Sequence, residues 1–181
     1  MKIEAVCFDM DGTLIRNTDS VRYLCALNGN LGPLAEIEDR ENEGTITGIE
    51  ADHLKARLIK GLDLARVESE FGRCIDLIHN IEVVLAYLKT RQIRAVLITA
   101  GPIEVANVLG ARFGFDAVYG SRYETAGTKF TGRIAHHLGS SGKLSCLQDF
   151  CAGNGILVEH CVAIGDSESD IDVFMACGRS I

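Results

Sequence analysis

The feature that most constrains the fold is an apolar run that ends in two carboxylates near the start of the chain. Ile3–Phe8 form the run, and Asp-Met-Asp-Gly-Thr follows at residues 9–13. A short continuous apolar run is typical of a parallel strand that is buried on both faces. A tight turn at Gly12 would then present Asp9 and Asp11 at the carboxyl edge of a sheet, where open α/β folds bind ligands. Two like charges this close repel each other, so the pair predicts a metal site or acid–base chemistry.

Strand and helix patterns alternate along much of the remaining chain. Apolar runs at 93–98 and 161–164 predict buried strands, 117–119 predicts a shorter one, and 123–131 predicts a hairpin. Helical stripes begin near Ile81, Ile103, Leu144 and Ile171, and Asn80 is a plausible cap for the first of them. The alternation predicts an α/β fold, with a doubly wound parallel sheet (a Rossmann-like core) and right-handed crossovers.

One long stretch breaks this alternation. Between residues 16 and 79 we find only helical periodicity, enough for three helices. Because the stretch follows the first strand directly, it would lie above the carboxyl edge of the sheet. We therefore predict a Rossmann-like catalytic core at 1–15 and 80–181, with a small helical cap inserted at 16–79.

Composition excludes several classes of function. The net charge of −7 argues against binding to nucleic acid. No apolar run approaches the roughly 20 residues that a membrane span needs, and the first residues do not resemble a signal peptide. The seven cysteines form no Cys-x-x-Cys pair, which favours reduced thiols and a cytoplasmic protein.

Two further polar positions follow or open predicted elements. Thr99 follows the 93–98 strand and precedes Ala100-Gly101-Pro102 and a helix, a junction that suits an anion such as phosphate, although threonine is also a common helix cap. Lys143 would open the helix that contains Leu144, where its charge opposes the helix dipole. That mild misfit favours a functional role over an ordinary solvated lysine.

A second pair of acids follows the 161–164 strand. Gly-Asp-Ser-Glu-Ser-Asp at residues 165–170 places Asp166 at the end of that strand and Asp170 four residues later. A helix cap followed by first-turn acids would look the same. We therefore hold both interpretations open from these residues alone.

Taken together, these motifs resemble a known family. Asp-x-Asp-Gly-Thr, then a threonine after a strand, then a lysine, then Gly-Asp-Ser-x-x-Asp, in this order over nearly the whole chain, resembles the haloacid dehalogenase-like hydrolases. The helical insertion and the stretches 54–62 and 129–132 are similar to the phosphoserine phosphatase branch. The resemblance implies a phosphatase that uses Mg²⁺, forms an aspartyl-phosphate and acts on a small phosphorylated metabolite.

The resemblance also implies roles for single residues. Asp9 would be the nucleophile, and Asp11 would protonate the leaving oxygen and later accept a proton from water. Mg²⁺ would bind Asp9, the backbone carbonyl of Asp11, and Asp166.

Other residues would bind the phosphoryl group or support the site. Thr99, Ala100 and Lys143 would hold the phosphoryl oxygens. Asp170 would orient Lys143 or a metal-bound water.

The substrate-recognition positions depart from the branch pattern. Thr18 stands where the branch has a glutamate for the amino group of phosphoserine, and Asp19 beside it is expected to point elsewhere. Lys55 stands where the branch has an arginine for the substrate carboxylate, with Arg57 close by. Phosphoserine is therefore one candidate substrate among other small phosphomonoesters.

Two groups of charged residues receive plainer interpretations. The acids within residues 36–43 are expected to form a solvated face of the cap. His136 and His137 are expected to be a solvated pair, because no third metal ligand lies at suitable spacing.

Two other functions remain open alternatives. A phosphotransferase or mutase would use the same scaffold and return the phosphoryl group to an acceptor other than water. A protein that binds a phosphorylated ligand without turnover would use the same pocket, although it would not need a nucleophile.

Overall fold

The computed structural model describes residues 2–181, in which strands and helices alternate except for one run of four helices. The strands are β1 (Ala5–Phe8), β2 (Arg94–Pro102), β3 (Ala117–Ala126), β4 (Lys129–His136), β5 (Cys161–Ile164) and β6 (Arg179–Ser180). The helices are α1 (Ser20–Leu27), α2 (Leu31–Asn42), α3 (Gly48–Leu58), α4 (Leu64–Cys74), α5 (Ile81–Thr90), α6 (Ile103–Phe113), α7 (Gly139–Asn154) and α8 (Ile171–Ala176). None of the helices in residues 2–181 combines the length and apolar composition that crossing a membrane requires.

The six strands form one sheet in the order β4-β3-β2-β1-β5-β6. Strand β1 is parallel to both of its neighbours, β2 and β5, and only β4 is antiparallel. The chain adds β2 and β3 on one side of β1 and β5 and β6 on the other, so the winding direction reverses at β1. Open α/β sheets bind ligands at such a reversal. The predicted α/β class is confirmed.

Both faces of the sheet are covered, which explains the continuous apolar runs. Ala5 and Cys7 of β1 pack on one face against Leu147 of α7 and Val173 of α8. Val6 lies between them in β1 and packs on the opposite face. Its cluster also includes residues of α5, α6 and the helices that follow β1. Alternate residues of one strand therefore serve two separate cores.

Helices α1 to α4, which we call the four-helix segment, lie between β1 and α5 in the chain. Sequence periodicity predicted three helices here and missed α2, because only Leu34 and Ile37 of that helix are buried. Burying each of those side chains contributes about 2 kcal/mol. The phenolic hydroxyl of Tyr23 in α1 donates to the carbonyl of Val67 in α4 at 2.6 Å, which ties the first helix of the segment to the last.

The hairpin of β3 and β4 holds the four-helix segment to the sheet. The backbone amide of Gly61 donates to the carbonyl of Phe130 at 2.8 Å, and the amide of Phe130 donates to the carbonyl of Leu62 at 3.0 Å. The turn uses Gly127 at a positive φ of 62°. The predicted hairpin at 123–131 is confirmed, and its strands extend beyond the predicted range.

One local prediction is wrong, and one element was not predicted. Asn80 has a left-handed backbone and its side chain makes no capping hydrogen bond to α5. Strand β6, whose residues Arg179 and Ser180 pair in parallel with β5, was not expected from the sequence pattern. A two-residue edge strand is too short to show periodicity.

Candidate active site

Strand β1 brings Asp9 to the centre of the carboxyl edge of the sheet. The Asp9 amide donates to the carbonyl of Ile164 in the neighbouring strand at 2.9 Å. The chain then turns sharply, because the amides of Leu14 and Ile15 both donate to the carbonyl of Met10 at 2.9 Å. Asp9 is only 4% exposed, so its carboxylate is held in a desolvated position.

Asp11 has different partners, although it lies only two residues away. Its carboxylate accepts hydrogen bonds from the amide of Ser20 at 2.7 Å and from the hydroxyl of Ser20 at 2.5 Å. Gly101 packs closely against this pair: a Cβ there would lie 2.5 Å from the Ser20 hydroxyl oxygen and 2.8 Å from Asp11 Oδ2. The Asp11 carboxylate is thus oriented by the first residue of α1.

Lys143 lies between two buried carboxylates. Its Nζ donates to Asp9 Oδ1 at 2.7 Å and to Asp170 Oδ1 at 2.8 Å, and Lys143 itself is 1% exposed. The prediction that Lys143 opens a helix is wrong. Helix α7 begins four residues earlier, at Gly139, so its second turn carries the lysine into the interior.

A cluster of carboxylate oxygens suited to a cation lies at the same edge. Oxygens of Asp9, Asp166 and Asp170 all lie within 4.8 Å of one another. Gly12 leaves the space that Asp166 occupies, because a Cβ at Gly12 would lie 2.0 Å from Asp166 Oδ2. The Thr13 hydroxyl donates to Asp166 Oδ1 at 3.4 Å. An all-oxygen set of donors suits a hard divalent cation.

Thr99 is buried in β2, two residues beyond the partner of Phe8 in β1, but the surrounding structure differs from the prediction. Strand β2 continues through Thr99 to Pro102, with an irregularity in its pairing to β3, instead of ending at residue 98. The Thr99 hydroxyl oxygen accepts a hydrogen bond from the amide of Gly101 at 3.0 Å. The side chain is 1% exposed, and α6 begins only at Ile103.

Burial raises the pKa of both motif acids, but different groups oppose the shift. Burial raises the pKa of Asp9 to about 6, against the opposing effect of Lys143. Burial raises the pKa of Asp11 to about 7, against the opposing hydrogen bonds from Ser20. Burial alone would lower the pKa of Lys143, but the charges and hydrogen bonds of Asp9 and Asp170 outweigh it and hold this pKa above its usual range. A carboxyl group that titrates near 7 can both donate and accept a proton.

A cavity of about 200 Å³ opens beside Asp11. Asp11, Ala100 and Gly101 contribute to it from the sheet. The four-helix segment lines the opposite side. We call its charged residues the upper wall: Asp19, Glu38, Asp52 and Lys55. We call the other group the sheet-edge site: Asp9, Asp11, Thr99, Lys143, Asp166 and Asp170.

Of the three recognition residues predicted from the four-helix segment, only Lys55 lines this cavity, where its Nζ pairs with Glu41 Oε2 at 2.7 Å. Thr18 is not among the lining residues, and its hydroxyl donates to the carbonyl of Asp19 at 3.3 Å. Arg57 is exposed and its backbone packs beside Gly132 in the hairpin. The structure therefore does not bring Thr18 or Arg57 to the cavity.

Sequence reasoning missed three acids of the upper wall. Asp19 was expected to point elsewhere, but it caps α1 by accepting from the Arg22 amide at 2.7 Å and lies beside the cavity. Glu38 was expected to be a solvated residue, yet it lines the cavity and pairs with Arg22. The Ser20 hydrogen bonds to Asp11 explain the first case, because they draw the start of α1 down to the sheet edge.

The third missed acid makes a contact that joins the four-helix segment to the hairpin side of the sheet. Asp52 Oδ2 lies 2.7 Å from Nε2 of His137, a residue that was expected to be a solvated histidine. No local signal could have found this pair, because its members are 85 residues apart in the chain.

Comparison with protein families identifies the class of this protein. A family model described as haloacid dehalogenase-like hydrolase matches residues 6–175, a range that contains the whole sheet-edge site. The chain belongs to the haloacid dehalogenase-like hydrolases. The resemblance stated from the motifs is confirmed.

Curated relatives place the chain near one branch of that family. The phosphoserine phosphatase of Streptomyces coelicolor is 25% identical over 177 residues, which are 97% of this chain and 43% of that protein. The phosphoserine phosphatase of Methanocaldococcus jannaschii is 25% identical over 181 residues, which are 99% of this chain and 85% of that protein. The chain thus spans less than half the length of the first relative and most of the second.

Solved structures show the same fold. A phosphoserine phosphatase described as a phospho-aspartyl intermediate analogue superposes with a TM-score of 0.82 at 24% identity, covering 99% of this chain and 86% of that one. A substrate-bound phosphoserine phosphatase complex gives a TM-score of 0.83 at 23% identity, with 99% and 85% coverage.

Proposed function

We propose that this chain is a metal-dependent phosphatase that hydrolyses a small phosphomonoester through an aspartyl-phosphate on Asp9. We also propose that residues 16–79 act as a cap over the site. The observation that carries the proposal is the buried contact of Lys143 with Asp9 and Asp170, next to a second acid, Asp11, that faces a small cavity. Simple binding of a phosphorylated ligand needs no buried carboxylate beside a lysine, whereas phosphoryl transfer to a carboxylate does.

The cation that we propose is Mg²⁺, held by Asp9, Asp166 and the backbone carbonyl of Asp11. When bound, Mg²⁺ offsets the repulsion between an attacking carboxylate and an anionic phosphate. The carboxylate cluster supports this choice, because it offers only oxygen donors. Asp170 also belongs to the cluster, but its contact with Lys143 favours a role in orienting that lysine.

The chemistry takes two balanced steps. A carboxylate oxygen of Asp9 forms a bond to phosphorus while the bond from phosphorus to the ester oxygen breaks, and Asp11 donates its proton to that leaving oxygen. Asp11 then accepts a proton from a water molecule, whose oxygen bonds to phosphorus and releases phosphate from Asp9. A pKa of about 7 suits Asp11 to both transfers.

The remaining residues of the site would bind the transferred group. We propose that Lys143 Nζ, the Thr99 hydroxyl and the backbone at Ala100 hold the phosphoryl oxygens and stabilise charge in the transition state. The burial of Lys143 and Thr99 supports this role, since electrostatic interactions strengthen where water is excluded.

The test is turnover of an aryl phosphate by the purified chain, with Mg²⁺ and after its removal by a chelator. Turnover should require Mg²⁺, and Asp9→Asn should lower kcat by about 10³-fold or more. The matched control is Asp149→Asn, an exposed aspartate on α7, which should retain full activity. Comparable kcat in Asp9→Asn and the control would refute the assignment of the nucleophile.

A second measurement separates hydrolysis from transfer. With ¹⁸O-labelled water, a hydrolase releases phosphate that carries one labelled oxygen per turnover. Transfer to an added alcohol, with no label in phosphate, would instead identify a phosphotransferase on the same scaffold.

A further inference from the structure

The leaving-group side of the proposed active site is unusually acidic. The upper wall contributes three carboxylates, Asp19, Glu38 and Asp52, but only one cation, Lys55. The cavity joins this wall directly to Asp11, the residue that would protonate the leaving oxygen. The part of a substrate that extends beyond the ester oxygen would therefore meet the upper wall.

The one cation of the wall is already paired. Lys55 Nζ lies 2.7 Å from Glu41 Oε2, and the Lys55 side chain is only 15% exposed. A substrate carboxylate that engaged Lys55 would have to share its ammonium group with Glu41, whose charge already offsets that of the lysine. Arg57, the other candidate for binding a carboxylate, is exposed and does not line the cavity.

The carboxylates of the upper wall, by contrast, outnumber the cationic side chains that pair with them. Arg22 is shared between two of them, at 2.5 Å from Glu38 and 3.7 Å from Asp19. Two carboxylates around one guanidinium leave one negative charge uncompensated, and the third acid, Asp52, has the imidazole of His137 beside it at 2.7 Å. Tyr123 adds a buried aromatic side chain to the lining, and aromatic faces attract cations.

We propose that the preferred substrate is a small phosphomonoester that carries a cationic amine close to the phosphate and no carboxylate, that is, an aminoalkyl phosphate. Asp19, Glu38 and Asp52 attract the ammonium group, and the same charges repel a substrate carboxylate. The cavity volume of about 200 Å³ limits the leaving group to a few heavy atoms. This specificity rests on the proposed phosphatase function, but it can be measured without turnover.

The first experiment measures binding of two isosteric phosphonates to the whole chain by calorimetry with Mg²⁺ present. Aminoethylphosphonate and propylphosphonate differ only in an ammonium group in place of a methyl group, and neither contains an ester that can be hydrolysed. We expect the amine to lower Kd by about 10-fold or more. Equal Kd values, or tighter binding of propylphosphonate, would overturn the inference even if the chain has no phosphatase activity.

The second experiment compares kcat/KM for four esters: aminoethyl phosphate, propyl phosphate, phosphoserine and phosphoglycolate. Aminoethyl phosphate carries only an amine, and phosphoglycolate carries only a carboxylate. Phosphoserine carries both of these groups, and propyl phosphate carries neither. We expect aminoethyl phosphate to exceed each of the others by about 10-fold or more. Phosphoserine exceeding aminoethyl phosphate by the same factor would overturn the inference and assign a carboxylate-binding role to the wall. Turnover of an aryl phosphate with no preference among the four would leave the phosphatase function standing and remove this specificity.

Variants of the wall locate the effect. Glu38→Gln should reduce the ratio of kcat/KM for aminoethyl phosphate over propyl phosphate by about 3-fold or more, whereas Glu36→Gln, an exposed glutamate on the same helix, should leave the ratio unchanged. Lys55→Met should not selectively lower kcat/KM for phosphoserine. A selective loss for phosphoserine in Lys55→Met, with the ratio unmoved in Glu38→Gln, would overturn the proposal.

Discussion

The sheet-edge site and the upper wall use the same contact, a carboxylate beside a cation, in two very different environments. Lys143, Asp9 and Asp170 are each at most 4% exposed. In the upper wall, the side chains of Lys55 and Asp52 are 15% and 34% exposed. Buried pairs are costly to break, whereas exposed pairs contribute about 0 to 1 kcal/mol. The difference indicates that the chemical site is fixed by burial, while the wall can change its charges at little cost in stability.

The largest effect is expected from removing the buried lysine. Lys143→Met leaves Asp9 and Asp170 without their cation, so the free energy of unfolding at pH 7 without Mg²⁺ should fall by about 3–5 kcal/mol. The loss should be smaller at pH 5, where the unpaired carboxyl groups protonate more readily. Chemical denaturation at both pH values measures it.

The control for this prediction is Lys89→Met, an exposed lysine on α5, which should change stability by less than about 0.5 kcal/mol. Similar losses in the two variants would mean that the sheet-edge site is no more dependent on its ion pairs than the surface is.

Next in size is the effect of a methyl group at the turn after β1. Gly12 has a φ of 80°, and a Cβ there would overlap Asp166 Oδ2. Gly12→Ala should therefore add about 1–3 kcal/mol of backbone strain and displace Asp166, raising the Mg²⁺ concentration needed for half-maximal turnover by about 10- to 100-fold. Titration of activity with Mg²⁺ measures the shift.

Gly155→Ala separates strain from displacement. Gly155 also has a positive φ, of 66°, but nothing lies within 4 Å of a Cβ there. The Gly155→Ala variant should therefore have a lower free energy of unfolding than the parent, but the Mg²⁺ concentration for half-maximal turnover should not change. An unchanged Mg²⁺ requirement in Gly12→Ala would show that Asp166 does not bind the cation.

The two regions also differ in how far the sequence predicts them. Asp9 and Asp166 were predicted to lie at the same edge of the sheet, and they do lie together there, because strand ends and short motifs depend on local sequence. Lys143 was singled out as the first residue of a helix, and that placement was wrong. Asp19 and Glu38 were misjudged, because the face of a helix that meets a cavity depends on packing between distant segments. The end of β2 was placed before Thr99 for the same reason: its last residues are strand only through pairing of Pro102 with Ser121 in β3.

A partly buried acid on α6 should give a smaller, pH-dependent effect. Glu104, in the first turn of α6, lies by a cavity that Val67 and Phe71 of α4 also line. Its Oε2 is buried and has no hydrogen-bond partner within residues 2–181. Burial raises its pKa to about 7 from an ordinary value of 4.5. The folded state thus holds a proton that the unfolded state releases between these two pH values.

The stability that protonated Glu104 contributes is complete below pH 4.5 and is lost as the pH rises through 7. Glu104→Gln stays neutral, so at pH 8 it should be more stable than the parent by about 1–2 kcal/mol, a figure reduced for the partial exposure of the side chain. Near pH 4.5 the two proteins should be about equal. Glu82→Gln, at an exposed first-turn acid of α5, should show no such pH dependence. If the free energies of unfolding of Glu104→Gln and the parent changed in parallel with pH, a buried carboxyl group with a raised pKa would be ruled out.

The smallest effect is expected where the upper wall contacts the hairpin side of the sheet. Asp52 and His137 lie 2.7 Å apart, but their side chains are 34% and 26% exposed. A double-mutant cycle of Asp52→Asn and His137→Gln, measured by chemical denaturation, should give a coupling energy below about 1 kcal/mol that decreases with added salt. A coupling energy above about 2 kcal/mol would mean that this pair is as strongly coupled as a buried ion pair such as Lys143 and Asp9. The wall would then be as firmly fixed as the sheet edge, and exchange of its charges would no longer be a low-cost route to a new substrate.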